Sequence, residues 1–293
     1  MTIDFHADDF GLFRSQSERI LQCHTDGVLS GISVITNGDS LQECLDLIRP
    51  IINELLIAVH LNFLQGSSLS SLKDVDLLTD KNGIFNISFG KLLLVSYTPA
   101  RNEYKQQLKT EIRAQIAALQ PFLTENGKRL RLDGHAHWHM IPVVFDALME
   151  VIREDKLDVE YIRFPAEPAG IMLKNLLKIL PFHPVNILKT LVLQLLANRN
   201  KRKYRQSLMN MEQRMFTGVL LSGYFSYEKT AALLPDLKTA AEAETQGVEL
   251  LAHPGFVLEK EDIDKITNRQ DAAFFTDSAR QVEADMLKRI NAD

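Results

Sequence analysis

The chain has 293 residues, of which 45% are hydrophobic and 24% are charged, the composition of an ordinary globular protein with a sizeable core. Its formal net charge of −5 argues against nucleic acid as the main partner, because phosphate binding needs a basic surface. The two cysteines, Cys23 and Cys44, are too few for a disulfide framework, and the N-terminus lacks the basic and apolar regions of a secretory signal. These features predict a cytoplasmic protein.

Short apolar runs alternate with helical patterns, which indicates βα units and a largely parallel sheet. Apolar runs predict strands over residues 2–5, 31–36, 55–62, 129–133, 159–163, 216–221 and 248–252. Helical spacing of apolar residues predicts helices over 15–27, 40–53, 102–126, 142–155, 227–234, 237–246 and 277–290. With no repeat and no clear linker, we predict one domain over 1–293. Its fold class is α/β, (β/α) barrel-like, as an incomplete or distorted TIM-type barrel.

Two segments depart from this rhythm. Residues 64–90 are rich in Ser, Gly, Asp and Asn, and so long a loop is typical of a lid or substrate loop. Residues 169–215 are predicted to form a helical insertion, in which Pro181 and Pro184 leave no apolar helix long enough to span a bilayer. Its apolar and basic part, 176–205, has two interpretations. It either packs on the barrel with a solvated basic end, or forms a membrane-surface patch suited to a lipid-linked substrate.

Ionisable residues gather where predicted strands end. Asp8 and Asp9 follow the first strand. Histidines lie at the ends of three other strands: His60 on the strand over 55–62, the group His135, His137 and His139 after 129–133, and His253 after 248–252. In parallel barrels the reactive groups sit at these strand ends. A metal cation would relieve the repulsion between the two aspartates, one acting as ligand and the other as base. The alternative is an Asx-type turn in which both cap the following helix.

The set fits a metal site of one carboxylate and two imidazoles with open positions for water and substrate. Imidazole ligands favour zinc or a similar transition ion over magnesium. Such an ion lowers the pKa of its water and polarises a carbonyl, while a free carboxylate takes the proton and a histidine protonates a leaving amine. This chemistry is amide hydrolysis.

Four motifs carry a resemblance to a known family: Ala7–Gly11, Val59–Asn62, Asp133–His139 and Ala252–Gly255. In this order they resemble the YdjC-type carbohydrate deacetylases, which include the chitooligosaccharide deacetylases. The similarity covers nearly the whole chain outside 169–215. It implies a barrel-like fold and a divalent metal, zinc or magnesium, used to remove N-acetyl groups from amino sugars. It also implies that Asp9, His60 and His135 are metal ligands, Asp8 the general base and His253 the acid.

Five further residues are candidates for substrate binding. His6 stands where family members commonly have asparagine and would add a polar contact, and Arg163 would grip a sugar hydroxyl or carboxylate unless it forms a surface salt bridge. Trp138 would stack on a sugar ring or fill the barrel mouth. His137 and His139 complete the group, and His139, four residues after His135 on a helical turn, is an alternative second ligand.

Two other functions stay open at this point. A metal-dependent phosphoesterase uses similar ligands, although it usually needs a second metal about 3.5–4 Å away and more acidic residues. A non-catalytic glycan-binding barrel would keep the fold without the activity. The sequence does not identify the sugar, and a homo-oligomer is equally compatible with it.

Overall fold

A computed structural model describes residues 3–267 and 269–290, without the side chains of 269–271. Its strands are β1 Ile3–Phe10, β2 Gly31–Ile35, β3 Leu56–Leu61, β4 Leu130–Gly134, β5 Val159–Ile162, β6 Arg214–Thr217 and β7 Gly247–Ala252. All neighbouring pairs are parallel, in the order β5-β4-β3-β2-β1-β7-β6. Tyr161 on β5 donates a hydrogen bond to Glu249 on β7 at 2.5 Å, although the two strands are far apart in this order, so the sheet is curled. The predicted distorted (β/α) barrel is confirmed.

Helices cover the outside of the sheet, which explains why its strands are buried on both faces. They are α1 Arg14–Thr25, α2 Leu41–Ile48, α3 Phe89–Val95, α4 Arg101–Glu125, α5 Pro142–Glu154, α6 Ala169–Lys174, α7 Leu176–Ile179, α8 Pro184–Lys203, α9 Arg205–Leu208, α10 Tyr227–Glu244, α11 Lys260–Ile263, α12 Arg269–Phe275 and α13 Ala279–Arg289. Short 3-10 segments cover Arg49–Glu54, Leu72–Asp74 and His135–Met140.

Several predicted elements have different bounds in the structure. The first strand, expected over 2–5, is β1, which extends to Phe10 and so contains Asp8 and Asp9. The helix expected over 40–53 is α2, which ends at Ile48 and is followed by the 3-10 segment Arg49–Glu54. The two helices expected over 227–234 and 237–246 form the single helix α10, which continues through Pro235. The strand expected over 216–221 is β6, which ends at Thr217. The buried Glu167 carboxylate accepts hydrogen bonds from the backbone N–H groups of residues 218–220, so these groups are engaged by a side chain beyond the strand's end.

The chain between β5 and β6 forms the four helices α6 to α9, within the segment predicted to be a helical insertion. Helix α8 packs against α5 and against the 3-10 segment that follows β4. Among the helices of the described residues, none is long and apolar enough to cross a membrane.

The 64–90 segment, expected to be a lid or substrate loop, contains little regular structure. Two isolated β-bridges, Ser67–Ile84 and Thr79–Phe85, hold it together before α3 begins at Phe89. Leu64 at its start and Ile87 near its end both line the cavity described below. The segment therefore contributes to that cavity's wall.

Candidate metal centre and active site

An irregularity in β1 brings both adjacent aspartates to one cavity. The pairing of β1 with β2 shifts register between Ala7 and Phe10, and Asp9 has a left-handed φ of 70°. A bulge of this kind re-aims side chains that would otherwise point to opposite faces. Both carboxylates line the cavity. Helix α1 begins at Arg14 without a side-chain cap, so the interpretation of the two aspartates as helix caps is wrong.

Asp9, His60 and His135 form a buried cluster whose ligand atoms all lie within 4.8 Å of one another. Asp9 Oδ1 lies 2.8 Å from His135 Nδ1 and 3.6 Å from His60 Nε2. Two ligands that each stand about 2.1 Å from one ion are about 3–3.5 Å apart, so these separations suit a shared cation. Asp8 Oδ2 lies just beside them, 3.8 Å from His60 Nε2.

The orientation of His60 fits metal binding. Its Nδ1 is 2.7 Å from Asp133 Oδ1, a contact that follows from the register of β3 and β4, in which the two residues are partners. Such a carboxylate fixes the proton on Nδ1 and directs the other nitrogen at a metal. His60 Nε2 is buried and has no hydrogen-bond partner in the described part of the chain. The donor set and this unbonded nitrogen fit a divalent cation such as zinc.

The charges around the cluster also favour a cation. Burial lowers the pKa of His60, but the Asp8 and Asp133 carboxylates outweigh burial and raise that pKa to about 9. Burial raises the pKa of Asp9, and the His135 ring reverses this and holds it well below its usual value. The site therefore keeps Asp9 ionised, and its carboxylates favour a bound cation.

Arg163 connects three carboxylates beneath the cavity. Its Nη1 donates to both oxygens of Asp8 at 2.8 and 2.9 Å, its Nη2 lies 2.9 Å from Asp133 Oδ2, and its Nε donates to Glu249. The side chain is fully buried and is absent from the cavity wall. The interpretation of Arg163 as part of a surface salt bridge is therefore wrong. Because Arg163 does not line the cavity, its position gives no support to direct contact with a substrate.

Two other residues expected to bind substrate lie in the barrel interior. His6 Nδ1 is 3.0 Å from Asp4 Oδ2 and its Nε2 is 2.7 Å from Ser33 Oγ, and the ring does not line the cavity. His139 is fully buried and donates from Nε2 to the Arg163 carbonyl oxygen at 2.9 Å. The cluster contains His135 rather than His139, because left-handed φ angles at Ala136 and His137 interrupt the helical turn on which the alternative ligand depended.

His6, Asp8 and Asp133 form a second group with metal-like spacing. Arg163 donates to both of these aspartates, so a guanidinium already supplies the positive charge there. This arrangement gives no support to the second metal that a phosphoesterase usually needs.

The cavity above the cluster has a volume of about 810 Å³. His137, Trp138 and His253 line it, together with Asp8, Asp9 and His135. Burial and the nearby Arg163 charge hold the pKa of His137 well below its usual value, and its Nδ1 has no hydrogen-bond partner among the described residues. A neutral ring of this kind can exchange one hydrogen bond with a polar substrate group.

The last described helix supplies two site residues that sequence reasoning missed. Arg280 on α13 donates to Asp9 Oδ2 at 3.0 Å, and Glu283, one turn later, accepts from the His253 backbone N–H at 2.5 Å. The Glu283 carboxylate also lies 3.4 Å from His253 Nδ1. Both charged side chains are buried. The spacing of three residues between Arg280 and Glu283 was visible in the sequence, but the burial of the two side chains was not.

A curled parallel sheet that carries a buried carboxylate–imidazole cluster at its strand ends, beside a cavity, defines a barrel protein with a candidate metal centre. Residues 2–290 match the family model described as YdjC-like protein, so the chain belongs to the YdjC family.

Two curated relatives are similar to part of the chain. A protein of Danio rerio named carbohydrate deacetylase is 26% identical over 58% of this chain and 51% of its own length. A protein of Proteus mirabilis (strain HI4320) named chitooligosaccharide deacetylase is 26% identical over 57% of this chain and 61% of its own length. The chain thus spans about half to three fifths of the length of these relatives.

One solved structure has a similar fold. The crystal structure of a candidate cellobiose-phosphate cleavage protein from Enterococcus faecalis V583 has a TM-score of 0.62 and 16% sequence identity. The match covers 98% of this chain and 90% of that chain. At this identity the similarity concerns the fold alone.

Proposed function

We propose that the protein is a metal-dependent carbohydrate deacetylase, which hydrolyses the N-acetyl group of an amino sugar to acetate and a free amine. The observation that carries the proposal is the division of the aspartate pair: Asp9 belongs to the ligand cluster, and Asp8 lies beside it. Membership of the YdjC family and the names of the curated relatives support the same activity.

Asp9, His60 and His135 would hold the divalent ion. When bound, the ion would lower the pKa of a water molecule and stabilise negative charge on the oxygen of the acetamide carbonyl. Three protein ligands leave positions open for water and substrate, as a catalytic rather than a structural site requires. His60 would be kept in the correct tautomer by Asp133.

Asp8 would act as the general base. Arg163 donates hydrogen bonds to both of its oxygens, which fixes the orientation of the carboxylate. Asp8 accepts the proton of water as the water oxygen adds to the carbonyl carbon. Arg163 is thus a positioning residue in this proposal.

His253 would act on the other side of the substrate. It lines the cavity, and Glu283 fixes its backbone and lies near its Nδ1. His253 donates a proton to the nitrogen as the carbon–nitrogen bond breaks, so that the amine leaves uncharged and acetate remains.

His137 and Trp138 would contact the sugar. The neutral His137 ring faces the cavity and would bond a hydroxyl group, while the Trp138 indole would cover an apolar sugar face. Trp138 packs edge-on against Phe89, with the two ring centroids 6.1 Å apart, and this contact fixes the indole at the cavity wall. His6 and His139, which lie in the interior, would act only by supporting neighbouring residues.

The test is acetate release from N-acetylated sugars by the metal-loaded protein, with and without a chelator. We expect Asp8→Asn to lower turnover by about 10²–10⁴-fold, the usual contribution of a general base, while elemental analysis still finds one metal per chain. Asp9→Asn is the matched control, because it should lose the metal as well as the activity. Near-normal turnover by Asp8→Asn would refute the role of Asp8, and chelator-resistant acetate release would refute metal dependence.

A further inference from the structure

The outward side of α8 carries leucines where a helix on the surface of a globular protein normally carries polar residues. Leu188, Leu191 and Leu195 are 64%, 58% and 71% exposed, at i, i+3 and i+7 spacing along one stripe. We call these three residues the α8 stripe. In the described part of the chain, ten of seventeen exposed large hydrophobic side chains lie between residues 173 and 209. An exposed apolar surface of this kind marks an interaction site.

The same segment has an extreme charge pattern. Residues 168–211 contain no Asp or Glu, although the whole chain has a net charge of −5. Their basic residues are Lys174, Lys178, Lys189, Arg199, Lys201, Arg202, Lys203 and Arg205. Arg199 and Lys203 are bonded to Asp146, whereas Lys178, Lys189 and Arg202 are exposed. The surface around the α8 stripe is therefore both apolar and positively charged.

The α8 stripe is continuous with the candidate active site. Leu188 is exposed and at the same time lines the cavity that contains Asp8, Asp9 and His135. Val185, Lys189, Val192 and Leu193 of the same helix also line that cavity. A molecule with its polar end at the cluster and an apolar tail would therefore meet leucine side chains as it leaves the cavity.

We propose that the α8 stripe docks on the surface of an anionic lipid bilayer, and that the substrate is an N-acetylated amino sugar attached to an apolar lipid chain. The substrate part rests on the deacetylase function proposed above. Apolar side chains flanked by Lys and Arg are the combination that binds such surfaces. A second copy of the chain is a poorer occupant, because a two-fold contact would bring two surfaces of the same positive sign together.

Docking is tested by sedimentation with vesicles of phosphatidylcholine alone and of phosphatidylcholine and phosphatidylglycerol at three to one. We expect binding to the anionic vesicles that weakens with added salt, and a loss of about tenfold or more in partitioning for Leu191→Gln/Leu195→Gln. Leu258→Gln is the matched control, since Leu258 is 61% exposed outside the segment. Absence of binding, or equal binding by the double variant, would overturn the proposal. So would analytical ultracentrifugation that finds a dimer dissociated by that variant.

The substrate class is tested with an N-acetylglucosaminyl lipid in the same anionic vesicles and with a soluble N-acetylglucosamine oligomer. Leu191 and Leu195 do not line the cavity, so the double variant should lose about tenfold in acetate release from the lipid and none from the oligomer. Equal effects on both substrates would refute the lipid-chain inference. If acetate comes from the oligomer without any vesicle binding, docking fails and the deacetylase function stands. If the protein binds the vesicles but releases acetate from neither substrate, the proposed deacetylase function is refuted and the docking proposal is retained.

Discussion

Asp9 reaches the cluster through a backbone conformation that few residues adopt. A left-handed φ is uncommon outside glycine, although Asp and Asn tolerate it better than most residues. Such conformations persist where surrounding contacts hold them, and here Asp9 is bonded to His135 on one oxygen and Arg280 on the other. Gly11 continues the turn at φ 94°, where a Cβ would lie 2.9 Å from the Ile35 carbonyl oxygen. The local backbone thus places the Asp9 carboxylate in the buried cluster and the Asp8 carboxylate beside it.

At the residue scale, the first prediction concerns Asp133, which contacts His60 but is outside the ligand cluster. We expect Asp133→Asn to weaken zinc binding about 10–100-fold, because the amide is a poorer acceptor for the His60 Nδ1 proton. Competition with a chromogenic chelator measures the affinity. Asp158→Asn is the control, since Asp158 forms an exposed pair with Arg129. Wild-type zinc affinity in Asp133→Asn would show that Asp133 does not orient the ligand.

At the scale of elements, β1 and β2 meet at a polar layer that leaves no space for a side chain at Gly31. A Cβ there would lie 2.3 Å from both Asp4 Oδ1 and His6 Nδ1. These two side chains are buried and bonded to each other, so they cannot move aside without exposing or unpairing a charge. The layer explains why His6 serves the interior of the barrel rather than the cavity.

The second prediction follows from this layer. Gly31→Ala should lower the free energy of unfolding by about 1–3 kcal/mol or more, the usual cost of overpacking a core. Gly170→Ala is the matched control, because a Cβ at Gly170 meets no atom within 4 Å and the residue lies in α6. Urea unfolding followed by circular dichroism measures both. Equal stability of the two variants would contradict the close approach at Gly31.

Asp146 attaches α8 to α5. The buried carboxylate accepts hydrogen bonds from Arg101, Arg199, Lys203 and Tyr204. Burial raises the pKa of Asp146, and the bonds to Lys203 and its other donors outweigh burial and hold the pKa far below its usual value. A carboxyl group whose folded pKa is depressed stabilises the fold above its unfolded pKa of about 3.9 and loses that contribution as the pH falls below it.

The third prediction is that Asp146→Asn loses about 2 kcal/mol of stability at pH 7, less than a fully buried pair because three partners are partly exposed. Between pH 5 and 2, stability should fall less steeply in the variant than in the wild type. Urea unfolding across this pH range measures both effects. Parallel pH profiles would contradict the assignment.

At the scale of the whole molecule, the two free cysteines report on the integrity of the core. Cys23 and Cys44 are both buried, and burial raises the pKa of Cys23 to about 12 and of Cys44 to about 11. The reactive thiolate is therefore scarce in the folded protein at pH 8.

The fourth prediction is that both thiols of the native protein react with a disulfide reagent at pH 8 about a hundredfold or more slowly than a free cysteine. In concentrated urea both should react at the rate of an unfolded peptide. Mass spectrometry of the trapped adducts identifies the site. A rapid reaction of either thiol in the native state would show that its helix opens locally.

The strand ends could be predicted from the sequence because apolar runs and the residues that follow them are local features. On that basis alone the sequence predicts that Asp8, His60 and His253 lie at one end of the barrel. The role of Arg163 could not be predicted, because it meets Asp8 and Glu249 only after distant strands have curled around a common interior. Polar residues alternating along β4, such as Arg131 and Asp133, were a signal that the interior is charged. The sequence pattern of the inserted helices left two interpretations, and their exposed leucines now favour one as a proposal.

The gap between β5 and β6, the two edge strands of the sheet, affects how this architecture can vary. No ladder joins β5 to β6 in the described residues, and the two strands are tied there by a backbone bond from Glu212 to Glu160 and by the Arg131 ion pairs to both glutamates. The segment containing α6 to α9 leaves and re-enters the barrel at this seam. Its length and composition can therefore change without shifting the alignment of any strand pair. The residues of the cluster thus lie on the strands or directly after one, whereas the part of the cavity wall formed by α8 belongs to a segment that can vary independently of them.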